Sequence, residues 1–392
     1  MLGFLISICR HQSTFDGWAL QIGILSGKCV SKQGLFDRIH AGATAFSKQL
    51  LQQVLLRQTA KNYTADLFGS FNKVLLQDST NLRLPKVLSN LFPGNHSRGE
   101  QKAVARIQSI IDVKAMKFID FVLGSFTQND QSASGSILEH VKKGDLVIRD
   151  LGYFAMAIFK NLIQAQVYFL SRLKYGVSIY DRQGHPIAWK KLVGEGRQVD
   201  RWVFIGSEKQ VEVRLIMIPL PAEQAAEKKR KAKQDRDQRV NHSKEYYQWL
   251  GYSIHITTVG KDIWTAKQVA KAYQVRWQIE IIFKSWKTGF HMQDMLHEGC
   301  GNEHRVKVSI YLMLLFMCLF INKIYVRYKN EIEKRTDKQI SLIKLATFVA
   351  NNMIEIFLMS NNHLRACIVR YSCYDKRCDR VNMTELYQNF KN

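Results

Sequence analysis

Acidic side chains are scarce in this 392-residue chain: 33 Asp and Glu stand against 57 Lys and Arg, a formal charge of +24. An excess of that size calls for a polyanionic partner, since uncompensated like charge opposes the compact state. Nucleic acid is the first such partner to consider. An anionic membrane surface competes, but the sequence gives it little support. The longest apolar run, Val308 to Ile321, has about 14 residues, short of the roughly 20 a spanning helix needs, and reads as a buried core helix. No membrane partner is expected. The opening Met-Leu-Gly-Phe-Leu-Ile-Ser-Ile lacks a basic flank and a small-residue cleavage site, which argues against a secretory signal. The cysteines (Cys9, Cys29, Cys300, Cys318, Cys367, Cys373, Cys378) are odd in number and scattered, the pattern of reduced cytoplasmic thiols. No Gly-rich phosphate loop is present, so ATP dependence is not expected.

The length suits two or three domains. Residues 1–68 read as helical. Within them Val30 to Ile39 has the look of the second helix of a helix-turn-helix, with Ser31 as N-cap and Gln33, Arg38 and His40 turned outward. A small packed helical subdomain is the equal alternative. From about residue 69 to 173 the pattern changes to strands. Lys73–Gln77 ends on Asp78, Ala105–Val113 and Lys117–Leu123 form an antiparallel pair, and Asp145–Arg149 ends on Asp150. Asn95–Lys102 reads as a polar loop, Gln131–Val141 and Phe154–Gln164 as helices, and Gln166–Arg172 as a further core strand. Residues 174–250 read as a β-rich insertion closed by a charged helix. In its strand Gln210–Ile218 the alternation predicts Val211, Val213, Leu215 and Met217 inside, with Glu212 and Arg214 outside. The charge run Glu227–Lys233 and Asp235–Arg239 reads as a solvated helix, or else as a phosphate-binding arm. Residues 251–330 return to the core with the strand Tyr252–Thr258 and a helix opening near Thr265. Residues 331–392 are expected to be helical, with a packing helix over Ile340–Met359 and a loosely ordered tail.

The most informative stretch is Lys271 to Phe290. At about 100° per residue, Tyr273, Arg276, Glu280 and Lys287 fall in one wedge, opposite Val275, Ile279, Ile282 and Trp286. One carboxylate among two cations and a phenol suits holding a metal ion beside a phosphate. An ordinary solvated face with i,i+4 pairs is the plainer reading.

The spacing Tyr-x2-Arg-x3-Glu-x6-Lys, followed by Trp286-Lys-Thr-Gly289, resembles the C-terminal signature of the DDE transposases of bacterial insertion sequences, in the insertion-sequence-4 family. The family's two upstream aspartates match Asp78 in Val74–Thr80 and Asp150 in Leu146–Phe154. The resemblance covers about residues 30 to 330. It implies an α/β, ribonuclease-H-like catalytic core interrupted by a β-strand insertion, with helical N-terminal and C-terminal regions. It also implies that Asp78, Asp150 and Glu280 are catalytic and hold two Mg2+ ions, with Mn2+ as substitute and Asp78 bridging. Tyr273, Arg276, Lys284, Lys287 and Arg38 would contact DNA.

The implied activity is divalent-metal-dependent cleavage and strand transfer of element ends. The implied partners are double-stranded DNA, as terminal inverted repeats and target, and a second copy in a synaptic homodimer on the bacterial chromosome. Relatives that excise through a hairpin hold a flipped base on an aromatic ring; Trp249 and Tyr252 are nearby candidates, and the tip of the insertion, within 181–215, is the expected gripping surface. The N-terminal region looks short for such an enzyme, as a truncated one would. Two other readings compete: a transposase-derived DNA binder without catalysis, and a related nuclease without strand transfer. His297-x2-Cys300-x3-His304 and Cys373-x4-Cys378 are each incomplete as zinc sets and are not expected to bind metal.

Overall fold

The computed structural model describes residues 2–9, 14–58, 66–97, 99–194, 196–207, 211–234, 243–296, 300–336 and 338–375. The chain divides into two compact units. The first takes Met1–Tyr63, Asp78–Asn129 and Trp277–Asn382; the second takes Thr64–Gln77 and Asp130–Arg276 among the described residues.

In the first unit, α1 (Leu2–Cys9), α2 (Phe15–Ser26), α3 (Lys32–Arg38) and α4 (Ala41–Arg57) make the expected helical start. Ser31 is the N-cap of α3, its Oγ accepting the Gly34 N–H at 3.0 Å. Gln33, Arg38 and His40 are exposed, as the pattern predicts. The aromatic pair Phe15 and Trp18 lies under the Arg305 guanidinium, 4.1 and 5.1 Å from the two rings.

Strand β1 (Val74–Leu84) does not end on Asp78 but runs six residues further, so that carboxylate stands in mid-strand. Most of Asn95–Lys102, expected to be a loop, belongs to strands: β2 (Pro93–Ser97) runs antiparallel to the start of β3 (Glu100–Asp112), with Gly99 at φ +80 before β3. Polar side chains misled here because one face of an antiparallel hairpin can face water. β3 also pairs with β4 (Lys117–Ser125), the expected hairpin.

The second unit is built on a sheet in the order β1 (its Val74–Gln77 segment), β5 (Leu146–Arg149), β6 (Tyr168–Arg172), β10 (Tyr252–Thr257), β9 (Val211–Pro219), β8 (Val199–Ile205), β7 (Ile179–Tyr180). β1, β5 and β6 are mutually parallel, and the remaining pairings are antiparallel. All four β5 residues are buried, the signature of a strand covered on both faces. Asp145, 1% exposed, fixes the register at its start by accepting the Lys73 N–H (3.1 Å) and the Lys142 N–H (2.8 Å). Between β5 and β6, α5 (Met156–Gln164) lays Phe159 against Phe169, centroids 4.5 Å apart.

Gln131–Val141 is a 3-10 helix, Ser132–Glu139, rather than an α-helix. Arg214 corrects the alternation read in β9: it is fully buried, because Asp200 takes its guanidinium in two 2.8 Å bonds and the carbonyls of Val259, Gly260 and Trp264 accept the rest. A charge with a complete set of acceptors can occupy an inward position that periodicity assigns to apolar residues. Helices α6 (Trp189–Gly194), α7 (Ala222–Lys233) and α8 (Lys244–Trp249) follow; the run 235–239 lies outside the described residues.

The expected helix across Lys271–Phe290 is broken twice. Thr265 opens α9 (Ala266–Gln274) with a capping box. The Val275 and Arg276 N–H groups then reach back three residues rather than four, closing the ladder before α10 (Trp277–Lys284). A π-helical turn, Ser285–Gly289, follows. A single 100° wedge therefore does not exist over the whole stretch, although its apolar side holds: Val275, Ile279, Ile282 and Trp286 are all buried. Trp286 packs on Phe118 and Phe121, and Gly289 lets the turn approach α13 (Leu342–Asn351), where an added Cβ would meet the Ala346 Cβ at 2.5 Å.

Helix α11 (Glu303–Leu319) continues through a π-helical turn into α12 (Val326–Arg335). This corrects the estimate made from the apolar run alone. The continuous helix, Glu303–Arg335, is long and apolar enough to cross a membrane by length and composition, but 61% of its most apolar window is buried inside the protein. The C-terminal region is not wholly helical: β11 (Lys338–Ile340) pairs with β12 (Cys373–Asp375). The expected Ile340–Met359 helix splits into α13 and α14 (Glu355–Leu358), ahead of α15 (Asn361–Tyr371). The tail from 376 lies outside the described residues.

Candidate catalytic and phosphate-binding site

Asp150 leaves the C-terminal end of β5 in extended conformation and starts a 3-10 turn, its carbonyl accepting the Tyr153 N–H. Its side chain is 40% exposed. Two residues of the signature stretch hold it from 123 and 126 positions away: the Tyr273 hydroxyl donates to Oδ1 at 3.3 Å, and Arg276 Nε stands 3.6 Å from the same oxygen. Both residues are nearly buried, at 7% and 9% exposure. Burial first, and the Asp150 charge second, push the Tyr273 phenol well above its usual range, so it stays a neutral donor. Tyr273 and Arg276, expected to grip phosphate from an exposed face, thus face the second aspartate.

Behind Asp150 lies a polar clamp that pattern reading passed over. Gln77 and Arg149 are cross-strand partners on β1 and β5, and Arg149 donates to Gln77 Oε1 and to the Ser134 carbonyl, both at 2.5 Å. Gln77 in turn donates to the Ala133 carbonyl and Ser136. Burial lowers the Arg149 pKa to about 10. A Gln and an Arg inside otherwise apolar strand runs were the available signal, since a polar group in such a place must be bonded.

In the first unit, Asp78 is half-buried and its Oδ1 accepts the Ser79 N–H at 2.8 Å. Glu280 is half-buried in the first turn of α10. Lys287 is half-buried in the π-helical turn, its ammonium pKa lowered by burial and then by Arg83. Arg83 belongs to the end of β1, where its N–H donates to Gln293 and Gln293 donates to the Asn81 carbonyl. Two cations brought to one place in this way suit a phosphate. Lys284 is exposed at the end of α10. Arg38 is exposed too, bonded to the carbonyl of Gly34 within its own helix.

Asp78 and Glu280 belong to one unit and Asp150 to the other. Among the described residues, no group of three or more His, Cys, Asp or Glu side chains is placed to hold a metal ion. The accessible carboxylate of Asp150 is the donor type a hard divalent cation takes, and the half-buried Asp78 and Glu280 offer the same donor type within their own unit. Of the zinc candidates, His304 bonds Thr44, Cys300 is buried, and His297 and Cys378 lie outside the described residues. Tyr252 is buried with its hydroxyl on the Val193 carbonyl, and Trp249 is half-buried in a cluster with Tyr175, Trp189 and Tyr246.

The family model for the transposase DDE domain matches residues 69–321. This chain belongs to that family. The DDE transposase stretch therefore contains all three acidic candidates and every signature residue. Membership implies the use of a divalent metal.

The relatives are transposases of bacterial insertion sequences. The chain is 27% identical to the transposase for insertion sequence element IS231F of Bacillus thuringiensis subsp. israelensis, over 75% of this chain and 66% of that one. It is 27% identical to that for IS231B of Bacillus thuringiensis subsp. berliner, over 83% and 73%. It is 25% identical to that for IS1151 of Clostridium perfringens, over 86% and 75%. The chain thus spans about two thirds to three quarters of the length of the curated relatives it matches. Among solved structures, the piggyBac transposase in a synaptic complex with hairpin DNA aligns at a TM-score of 0.46 and 10% identity, over 97% of this chain and 77% of that one.

Proposed function

We propose that this chain is a DNA transposase of the insertion-sequence-4 type, cutting the ends of its own element and joining them to target DNA in a cytoplasmic, chromosome-bound homodimer. The observation that carries the reading is the grip of Tyr273 and Arg276 on a solvent-accessible Asp150. The signature residues serve an aspartate that stays open to ligands. The family match and the relatives support it.

In this reading Asp78, Asp150 and Glu280 hold two Mg2+ ions, or Mn2+ in their place, in the DNA-bound state. Such a pair supplies charge stabilisation to an in-line displacement at phosphorus and activates the attacking oxygen. The protein's own part is positional. Tyr273 fixes the Asp150 carboxylate by donating to one oxygen, and Arg276 adds a fixed positive charge on the same side. Lys287 with Arg83, and the exposed Lys284, take phosphates next to the reacting one. Arg38 on α3 takes a more distant phosphate at an element end.

The parallel set β1, β5 and β6 in one unit and the β3–β4 hairpin beside β1 in the other are the parts of a ribonuclease-H-like core. Residues 174–250 are then an insertion in that core, with 1–68 and 331–392 as flanking helical regions.

Incubating the chain with an end-bearing duplex and Mg2+ tests the reading. Nicked and joined products are expected. Nicks without joining would make the chain a nuclease. Binding without either would make it a transposase-derived binder.

A further inference from the structure

Arg149 and Arg214 are both fully enclosed in the second unit, yet their guanidinium groups are bonded very differently. Arg214 meets Asp200 and three backbone carbonyls. Arg149 uses Nη2 alone, on Gln77 Oε1 and the Ser134 carbonyl, while its Nε and Nη1 have no hydrogen-bond partner. Among the described residues no carboxylate pairs with it. The residues before it in β5 are Leu146, Val147 and Ile148, all fully buried. Stability alone would favour a fourth apolar side chain, since a buried charge is costly without a carboxylate and a complete set of bonds. A local rule broken in this way is expected where function requires it.

The bonds that Arg149 does make lead back to its neighbour in the chain. It donates to the Ser134 carbonyl, the Ser134 hydroxyl donates to the Tyr153 carbonyl at 3.1 Å, and the Tyr153 N–H returns to the Asp150 carbonyl at 3.1 Å. The turn that Asp150 starts is thus closed into a loop of bonds through one residue of the 3-10 helix. The Tyr153 ring is fully buried, its centroid 5.4 Å from the Arg149 guanidinium carbon. Gln77 holds the same helix from β1, donating to the Ala133 carbonyl at 3.1 Å and to Ser136 at 3.0 Å. Adjacent residues of an extended segment point to opposite faces, so the clamp is buried while the Asp150 carboxylate stays accessible.

We propose that Arg149 is a positioning residue: acting through Ser134 and Tyr153, it holds the backbone of Asp150 so that the carboxylate is set in place before a divalent ion arrives. Groups behind a metal ligand commonly fix its orientation, and losing one weakens metal binding or activity by about 10- to 100-fold. Tyr273 and Arg276 steady one carboxylate oxygen, and the clamp steadies the main chain that carries it. The inference rests on the proposed function.

The test uses the full chain bound to an end-bearing duplex, with Mn2+ as the probe ion. Electron paramagnetic resonance of the unbound ion gives the Mn2+ affinity, and fluorescence anisotropy gives the affinity for the duplex. Arg149→Met should weaken Mn2+ binding by about 10- to 100-fold while duplex affinity stays as in wild type, since the side chain is fully buried. Arg149→Lys, whose ammonium can still serve one acceptor, should recover part of the loss. Ser134→Ala cuts only the link to Tyr153 and should weaken Mn2+ binding by roughly two- to tenfold. A clamp that merely stabilises the fold would lower the urea midpoint and leave the Mn2+ affinity of the folded protein unchanged. Unchanged affinity in folded Arg149→Met, or in Ser134→Ala should Arg149→Met not fold, would overturn the positioning role. The transposase reading stands in that case if wild type still nicks and joins the duplex with Mg2+. A wild-type chain that binds the duplex but no Mn2+ would overturn both.

Discussion

Two aspartates of the same unit, Asp150 and Asp200, each lie beside an arginine, and their environments are opposite. Asp200 is 18% exposed and locked to the buried Arg214 guanidinium by two 2.8 Å bonds, which hold its carboxyl below the usual range. Asp150 is 40% exposed and held at arm's length, 3.3 Å from a phenol and 3.6 Å from a guanidinium. The first carboxylate has its acceptor capacity spent on folding. The second keeps oxygen lone pairs open to solvent. Under the proposed function, a structural ion pair and a catalytic carboxylate differ in how complete the pairing is, not in whether an arginine is near.

The largest effects should separate the two. Asp150→Asn is expected to lower Mg2+-dependent nicking by roughly 10^3-fold, several kcal/mol of transition-state stabilisation. Its denaturant midpoint should stay close to wild type, since exposed pairs contribute about 1 kcal/mol or less. Equal losses in both assays would erase the contrast.

Arg214→Met should do the reverse. Breaking the buried pair leaves Asp200 only the exposed Lys261, 3.8 Å away, strips three backbone carbonyls of their donor, and costs roughly 3–5 kcal/mol in chemical denaturation. The Asp200 contribution has a defined pH window. Its carboxyl is lowered by folding, so the stability it adds is present above its unfolded pKa, near 4, and is lost as pH falls through the lower folded value. An Arg214→Met protein as stable as wild type would show the lock to be ornamental.

A smaller effect sharpens the Asp150 side. Tyr273→Phe removes one hydrogen bond to a charged group, about 1.5–3 kcal/mol, so nicking should slow by roughly ten- to a hundredfold. The loss should appear in the single-turnover rate rather than in duplex affinity.

The last is a pH effect on stability, spread over several pH units and so small at any one pH step. His255 is kept neutral in the fold, with its pKa at about 3, whereas in the unfolded chain it takes a proton below about 6.5. Stability should therefore fall as pH drops from about 6.5 toward 3, by up to about 1.4 kcal/mol per unit. His255→Phe should flatten that slope in urea titrations, and an unchanged slope would assign the dependence to other groups.

Much of this arrangement was legible in the residues. The strand start at Val74, the strand end before Asp150, the capping threonine and the apolar side of the signature stretch all follow from local pattern, because short-range sterics and burial set them. What pattern could not supply was the break at Val275 and Arg276. It rests on a switch from four-residue to three-residue hydrogen bonding that composition does not encode. Arg214 was misplaced for a similar reason. Alternation assumes that charge faces water, and only the spatial neighbours Asp200 and Trp264, 14 and 50 residues away, make its burial affordable. Arg172 and Tyr273 come from β6 and α9, so their meeting is a property of sheet order rather than of spacing.

The central claim is that Asp78, Asp150 and Glu280 serve common divalent ions when DNA is bound. Iron-directed backbone cleavage of the DNA-bound chain, with Fe2+ replacing Mg2+ and peroxide generating radicals at the metal, reads this most directly. The account predicts cuts near residues 78, 150 and 280 together, all suppressed by excess Mg2+ and all lost in Asp150→Asn. Cuts confined to one carboxylate, or unaffected by that substitution, would contradict it.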